Sequence, residues 1–204
     1  MTTILHISSS IRSAGSISRE LSDELVAKMK AANADNKIIL RDLTANPVPH
    51  LTEQMMGAFF TPAESRSAEQ ASTVKLSDTL VDEVLAADVI VIAAPMYNFS
   101  VSSTLKAWID HVARVGRTFQ YGANGPEGLV KGKKVIIFTA RGGVYSTGPA
   151  KVMDFHETYL RAVLGFLGIT DVNFVHSEGL AMGEEAVNTA LASSRSAIDG
   201  LIAA

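Results

Sequence analysis

Apolar residues along this chain fall into two rhythms. Continuous or alternating apolar runs at Ile4 to Ile7, Ile38 to Leu40, Val89 to Ala93, Val135 to Phe138 and Val172 to Val175 predict strands. Between them the spacing becomes helical: Leu21, Leu25, Val26 and Met29; Leu80, Val81, Val84 and Leu85; Leu105, Trp108, Ile109 and Val112; Leu160, Val163, Leu164 and Leu167. The strand candidates lie too far apart for hairpins. Strand and helix therefore alternate, which implies an α/β protein with a parallel sheet covered on both faces by helices.

A strand buried on both faces must be apolar throughout, whereas an edge strand tolerates alternation. By that test Val89 to Ala93 and Val135 to Phe138 are central, and Val172-Asn173-Phe174-Val175 is an edge. The stretch from Leu43 to Ala87 is long for one crossover, and Asn46-Pro47-Val48-Pro49 opens it as a turn or extended segment. It predicts an irregular loop with a short helix, then one long amphipathic helix. No repeat or second composition interrupts the pattern, so residues 1–204 read as a single domain.

Composition narrows the function. At 204 residues the chain can bury roughly 70% of the surface its unfolded form exposes. With 47% hydrophobic and 19% charged residues it is an ordinary globular chain. A net charge of -3 offers no footprint for nucleic acid or an anionic membrane. The absence of cysteine removes disulfides, thiol nucleophiles, Cys-ligated zinc and iron-sulfur clusters. The opening MTTILHISSSIR lacks the basic and apolar regions of a signal peptide, and no run reaches transmembrane length, so the expected location is cytoplasmic.

In an open α/β sheet, ligands sit beyond the carboxyl ends of the strands, where strand order reverses. That directs attention to the loops after the first, third and fourth strand candidates. The first, Ser8 to Ser18, carries six serines just before a helix. Unpaired N–H groups and the positive end of the helix dipole, with hydroxyls added, make an anion pocket suited to phosphate. The competing reading makes one serine an N-cap and the others loop residues. Neither a G-x-G-x-x-G fingerprint nor a P-loop is present there.

The second loop, Ala94 to Ser103, lifts Tyr97-Asn98-Phe99 off the end of a central strand. An amide that both donates and accepts, between two aromatic rings, suits a planar heteroaromatic ring with carbonyl and imide edges. Inward packing or a dimer contact would explain the same aromatics. The third loop, Ala140 to Pro149, supplies Arg141-Gly142-Gly143, where backbone N–H groups can approach a ligand with no Cβ in the way, although Gly-Gly also serves as a plain turn. The three loops converge on one sheet edge. A phosphate pocket plus ring contacts is the division of labour that flavin mononucleotide (FMN) needs. A nicotinamide dinucleotide site would require a glycine fingerprint beside an acidic residue such as Asp42.

At these residues the chain resembles the FMN-dependent NADH azoreductase family, flavodoxin-like flavoproteins that also reduce quinones. The resemblance rests on DVIVIAAPMYNF (Asp88 to Phe99), NGPEGLV and GKK (Asn124 to Lys134, with Lys131 between them), RGG (Arg141 to Gly143) and LGFLGITDV (Leu164 to Val172). It implies a flavodoxin-like three-layer sandwich with strand order 2-1-3-4-5. It further implies that Ser10, Ser16, Ile17 and Ser18 hold the phosphate side of FMN. Met96, Tyr97, Asn98 and Phe99 would line the isoalloxazine ring, and Ala140, Arg141, Gly142 and Gly143 its pyrimidine edge. Related proteins are homodimers with the flavin near the subunit interface. Tyr121 and Phe166, from either subunit, then become candidates to cover the substrate pocket. The resemblance implies a histidine in some relatives where this chain has Tyr145, and a phenol does not titrate near neutral pH as imidazole does; Tyr145 reads as a gate or stacking group.

The implied reaction is a ping-pong transfer of two electrons. NADH or NADPH gives hydride to flavin N5, and a quinone or azo compound then takes its place. No side chain is assigned as a catalytic acid. Five histidines show no metal spacing, and His6 and His111 read as packing residues. An electron carrier of the flavodoxin type shares the fold and the flavin without turning over NADH. A receiver module needs acidic groups where Ser8-Ser9-Ser10 and Ala94-Pro95 stand, and a tyrosine phosphatase needs the missing cysteine.

Overall fold

The computed structural model describes residues 1–203. Five strands form one parallel sheet: β1 (Thr3–Ser8), β2 (Lys37–Asp42), β3 (Val89–Ala93), β6 (Lys134–Ala140) and β7 (Asp171–Ser177). Their order is β2-β1-β3-β6-β7. Counted within the sheet alone this is 2-1-3-4-5, as expected. The two strands expected to be central are buried along almost all of their length, whereas β7 is mostly half-exposed.

Side chains alternate between two apolar layers because successive residues of a strand face opposite sides. Leu5, Ile7, Ile90, Ile92, Val135 and Ile137 pack under α3 (Ala68–Ala86), α4 (Ser103–Val112) and α5 (Phe155–Leu167). Ile4, Val91, Ile136 and Phe138 pack under α1 (Ile17–Ala32) and α6 (Glu184–Ala203). Each Leu or Ile buried this way stabilises the fold by about 1.5–3 kcal/mol. The result is the three-layer sandwich, and the long crossover holds the short α2 (Glu53–Phe60) before the long α3.

Two elements lie outside the sequence reading. Helix α6 was unmarked because its inward residues include Ala190 and Ser194 beside Ile198, too small to write a strong apolar period. The hairpin of β4 (Phe119–Gly122) and β5 (Gly125–Gly128) is short, glycine-rich and largely exposed. It is anchored where Gly128 meets the end of α5: a Cβ on Gly128 would lie 2.1 Å from the Gly168 nitrogen. Gly168 has φ +100, the left-handed C-cap of α5. Part of the NGPEG and LGFLG motifs thus serves backbone-to-backbone packing.

The histidines resolve as packing groups where that was expected. His6 is buried, its Nε2 2.9 Å from the Ser22 hydroxyl. His111 is buried against Phe59, with Nε2 2.9 Å from the Pro49 carbonyl oxygen.

Candidate active site

Strand order reverses between β1 and β3, so the loops leaving their carboxyl ends part around a crevice. A cavity of about 280 Å³ occupies it, lined by Ser10, Arg12, Gly15, Ser16, Ile17, Pro95, Met96, Tyr97, Ala140, Arg141, Gly142 and Leu180. All three loops singled out from the sequence therefore meet in one hollow. A larger one, about 660 Å³, adjoins it across Tyr97, with Ile11, Asn98, Val101, Lys106 and Tyr159 among its walls. Ile17 and Gly142, which line the smaller hollow, belong to the two stretches with unspent backbone donors.

Those donors begin with the α1 N-terminus. Ser16 is its N-cap, with an extended backbone and a hydroxyl accepting the Arg19 N–H. The bland reading of that serine is thus correct, and it leaves the ligand-facing donors intact. The N–H groups of Ile17 and Ser18 have no protein acceptor among the described residues, as the first turn of any helix requires. The Ser16 and Ser18 hydroxyls sit 3.4 Å apart beside them. Ser10 is buried, its hydroxyl accepting the Arg12 N–H at 3.3 Å and its carbonyl accepting the Thr44 hydroxyl at 2.7 Å. Arg12 adds a cation at the mouth that sequence reasoning missed.

Asp42 has no freedom to hold a ribose. Arg19 donates to it at 2.7 Å, and the Thr44 and Ala45 N–H groups donate to its other oxygen at 2.9 and 3.2 Å. Those contacts, led by Arg19 and opposed by burial, hold its carboxyl below the usual range.

The second loop answers why an amide and two aromatics follow a buried strand. Tyr97 and Ser100 exchange backbone hydrogen bonds of 2.9 and 3.0 Å, and the two residues between them are left-handed, Asn98 at φ 48 and Phe99 at φ 70. This is a tight turn of the kind that normally selects glycine or asparagine. Phe99 is held in it at a cost of order 1–3 kcal/mol, which projects its ring outward, 37% exposed. Tyr97 ties the loop to its neighbour by accepting the Ile11 N–H at 3.3 Å. Phe99 meets Tyr145 edge to face at 6.0 Å, joining the second loop to the third.

In the third loop the Arg141 guanidinium turns inward. Its side chain is fully buried and pairs with Asp154 and Glu178, both at 3.0 Å, so it offers the cavity backbone rather than charge. The N–H groups of Gly142, Gly143 and Val144 meet no protein acceptor among the described residues. Leu180, from the loop after β7, completes the wall. That loop has no glycine pair or serine cluster to announce it, only adjacency to β6 in the sheet.

Tyr121 and Phe166 do not reach this hollow within one chain. They flank Phe119 on the hairpin and α5, at ring distances of 5.7 and 4.5 Å, and line neither cavity. Among the described residues no histidine lines either cavity. Tyr159, beside the larger one, is kept protonated, its hydroxyl pushed up to about 12 by burial and by the charge of Asp110.

Unspent amides at one end, a serine-rich helix start at the other and flat side chains between them fit a phosphorylated planar ring. The chain is 59% identical over 204 residues to the FMN-dependent NADH:quinone oxidoreductase of Herminiimonas arsenicoxydans, covering 100% of both. It is 54% identical over 198 residues to FMN-dependent NADH:quinone oxidoreductase 6 of Burkholderia lata, covering 97% of this chain and 98% of that one. The crystal structure of azoreductase from Bacillus anthracis strain Sterne matches it with a TM-score of 0.91 at 28% identity, over 99% of each chain. Residues 2–201 match the family described as flavodoxin-like fold. With that match, the strand order and the crevice at the switch point agreeing, the chain belongs to the flavodoxin-like fold family.

Proposed function

We propose that this chain is an FMN-dependent NADH:quinone oxidoreductase that also reduces azo compounds, built as a single FMN-binding domain over residues 1–204. The observation that carries the reading is that two residues with unspent N–H groups, Ile17 at the α1 N-terminus and Gly142 at the start of the glycine strip, line one cavity. The full-length relatives bearing that name supply the donor and the acceptor class.

FMN, when bound, supplies two-electron chemistry between the nicotinamide donor and the acceptor. The residues bind and orient it. Ile17 and Ser18 offer N–H groups and Ser16 and Ser18 hydroxyls to the phosphate, with the helix dipole favouring the negative charge. Ser10 shapes the wall beneath it. Met96, Tyr97, Asn98 and Phe99 make the ring surface, with Asn98 able to donate and accept at one edge. Ala140, Arg141, Gly142 and Gly143 would face the pyrimidine edge, where the glycine amides would stabilise negative charge as preorganised donors do. Tyr145 stacks at the rim and leaves proton delivery to water.

One hollow serves both donor and acceptor, so the two bind in turn. Double-reciprocal plots for NADH and quinone are expected to be parallel. Tyr121, 72% exposed, and Phe166 form an outward aromatic cluster, suited to covering the cavity of a second copy in a homodimer. No helix is long and apolar enough to cross a membrane among the described residues. Dependence on a pyridine nucleotide, together with a chain free of cysteine, fits the cytoplasm.

The decisive experiment is an absorption spectrum after incubation with FMN and desalting, followed by anaerobic NADH. Retained flavin bands that bleach on NADH are the expected result. Bands that persist would make the protein a carrier rather than a reductase, and no retained flavin would refute the site.

A further inference from the structure

The strip that carries the pyrimidine-edge amides is held from behind by the loop after β7. The carbonyls of Arg141, Gly142 and Gly143 accept the N–H groups of Leu180, Ala181 and Gly179 at 3.1, 3.0 and 3.0 Å. The Arg141 N–H goes to the Ser177 carbonyl at 2.9 Å. One side chain then closes the strip at both ends. Glu178 Oε1 accepts the Tyr145 and Ser146 N–H groups at 2.9 and 3.0 Å and the Arg141 guanidinium at 3.0 Å, while Oε2 accepts the Ser146 hydroxyl. Between these tied ends, Gly142, Gly143 and Val144 are consecutive amides with no acceptor in the protein among the described residues.

We propose that Glu178 is the positioning residue that aims the Gly142 and Gly143 amides at the pyrimidine edge of the flavin ring, by spanning the loop from Arg141 to Ser146. The inference rests on the FMN reading above and deepens it. The reason is geometric. A strip pinned only by its carbonyls can still rotate its later residues outward, and Gly142 and Gly143 have no side chains to resist. Drawing the Tyr145 and Ser146 amides onto a carboxylate anchored by a buried guanidinium removes that freedom. Although burial opposes it, the Ser146 hydroxyl, the Tyr145 N–H and Arg141 keep the Glu178 carboxyl below its ordinary pKa; the two backbone N–H groups both go to Oε1, an acceptor that a carboxamide of the same length also supplies. Donors aimed in advance at developing charge are worth more than donors that must reorganise.

The test separates reach from charge. Glu178→Asp keeps the charge and shortens the span, whereas Glu178→Gln keeps the span and loses the charge. Dissociation constants for FMN and riboflavin, the midpoint potential of bound FMN and the melting of the flavin-free protein are measured for each. In Glu178→Asp, FMN and riboflavin are expected to bind about tenfold more weakly by the same factor, as befits hydrogen bonds lost on the ring side. The potential should shift negative, because the reduced ring loses more than the oxidised one. Glu178→Gln should hold both ligands within about threefold of wild type. A folded Glu178→Asp protein that binds both ligands and holds the potential as wild type does would overturn the proposal, as would Glu178→Gln loosening as much as Glu178→Asp. If Glu178→Asp does not fold, Glu178→Gln decides: retained binding supports the positioning role and a tenfold loss removes it. Wild-type protein that binds neither ligand would sink the FMN reading itself, which is a different failure.

Discussion

Phe99 occupies a conformation that its side chain disfavours, at φ 70, next to Asn98 at φ 48. Its ring is partly exposed and meets Tyr145 edge to face, so the strain is not offset by core packing. Phe99→Gly is therefore expected to raise unfolding stability by about 0.5–1 kcal/mol while weakening flavin binding; denaturant melts of the flavin-free protein and a flavin titration check the two halves separately. Ser18 is fully buried at the start of α1 beside Ser16. Losing a hydroxyl that donates to a phosphate costs about 1.5–3 kcal/mol. Ser18→Ala should weaken FMN about tenfold or more and leave riboflavin untouched, and equal loss for both ligands would remove Ser18 from the phosphate pocket.

Whole elements are placed by a few backbone approaches. The hairpin β4–β5 rests on α5 through Gly128 and Gly168, and Val130 donates to the Leu167 carbonyl at 2.9 Å. No rotamer can relieve a methyl group built 2.1 Å from a backbone nitrogen. Gly128→Ala should destabilise the protein by about 3 kcal/mol, at the upper end of overpacking costs, and detach the Phe119, Tyr121 and Phe166 cluster. Loss of stability in chemical unfolding, with FMN binding per folded molecule preserved, is the expected signature. At the other end of α5, Asp154 caps the helix through the His156 and Glu157 N–H groups at 3.1 and 2.9 Å and pairs with Arg141. One helix thus braces both the hairpin and the glycine strip.

For the molecule as a whole, buried histidines set the acid limit. His156 is fully buried with neither ring nitrogen bonded among the described residues. Burial first, then the positive charge of Arg141, lowers its pKa from 6.5 to about 4. Between those values the unfolded chain binds a proton that the native state refuses, so the contribution is complete above pH 6.5 and lost as pH falls towards 4. The loss amounts to about 3 kcal/mol from this residue. His6, His111 and His176 are lowered too, with burial as the leading cause, and act in the same direction. Urea midpoints at pH 7.5, 6 and 5 (set at about these values) should fall stepwise, and His156→Leu should flatten the decline; an unchanged slope would clear His156. The outward aromatic cluster predicts a second-order assembly as well: sedimentation should give a particle of twice 21.7 kDa, and Tyr121→Ala should weaken both association and acceptor turnover.

The apolar runs settle the strands, their ranking and the parallel sheet, because burial on two faces demands continuous apolar residues and leaves that mark at short range. The serine cluster, Tyr97-Asn98-Phe99 and the glycine pair were legible for a related reason: each is a chemical type gathered in consecutive residues. Helix α6 and the hairpin left little mark, since Ala190, Ser194 and the glycines build contacts through smallness. Nothing local could reveal that Arg19 occupies Asp42, that Arg141 turns inward, or that Leu180 walls the cavity and Glu178 ties its loop. The Arg141 pairings span 13 residues to Asp154 and 37 to Glu178, and the second exists because β6 and β7 lie side by side. Periodicity is written along a chain, whereas a buried ion pair is chosen by which loops the sheet brings together.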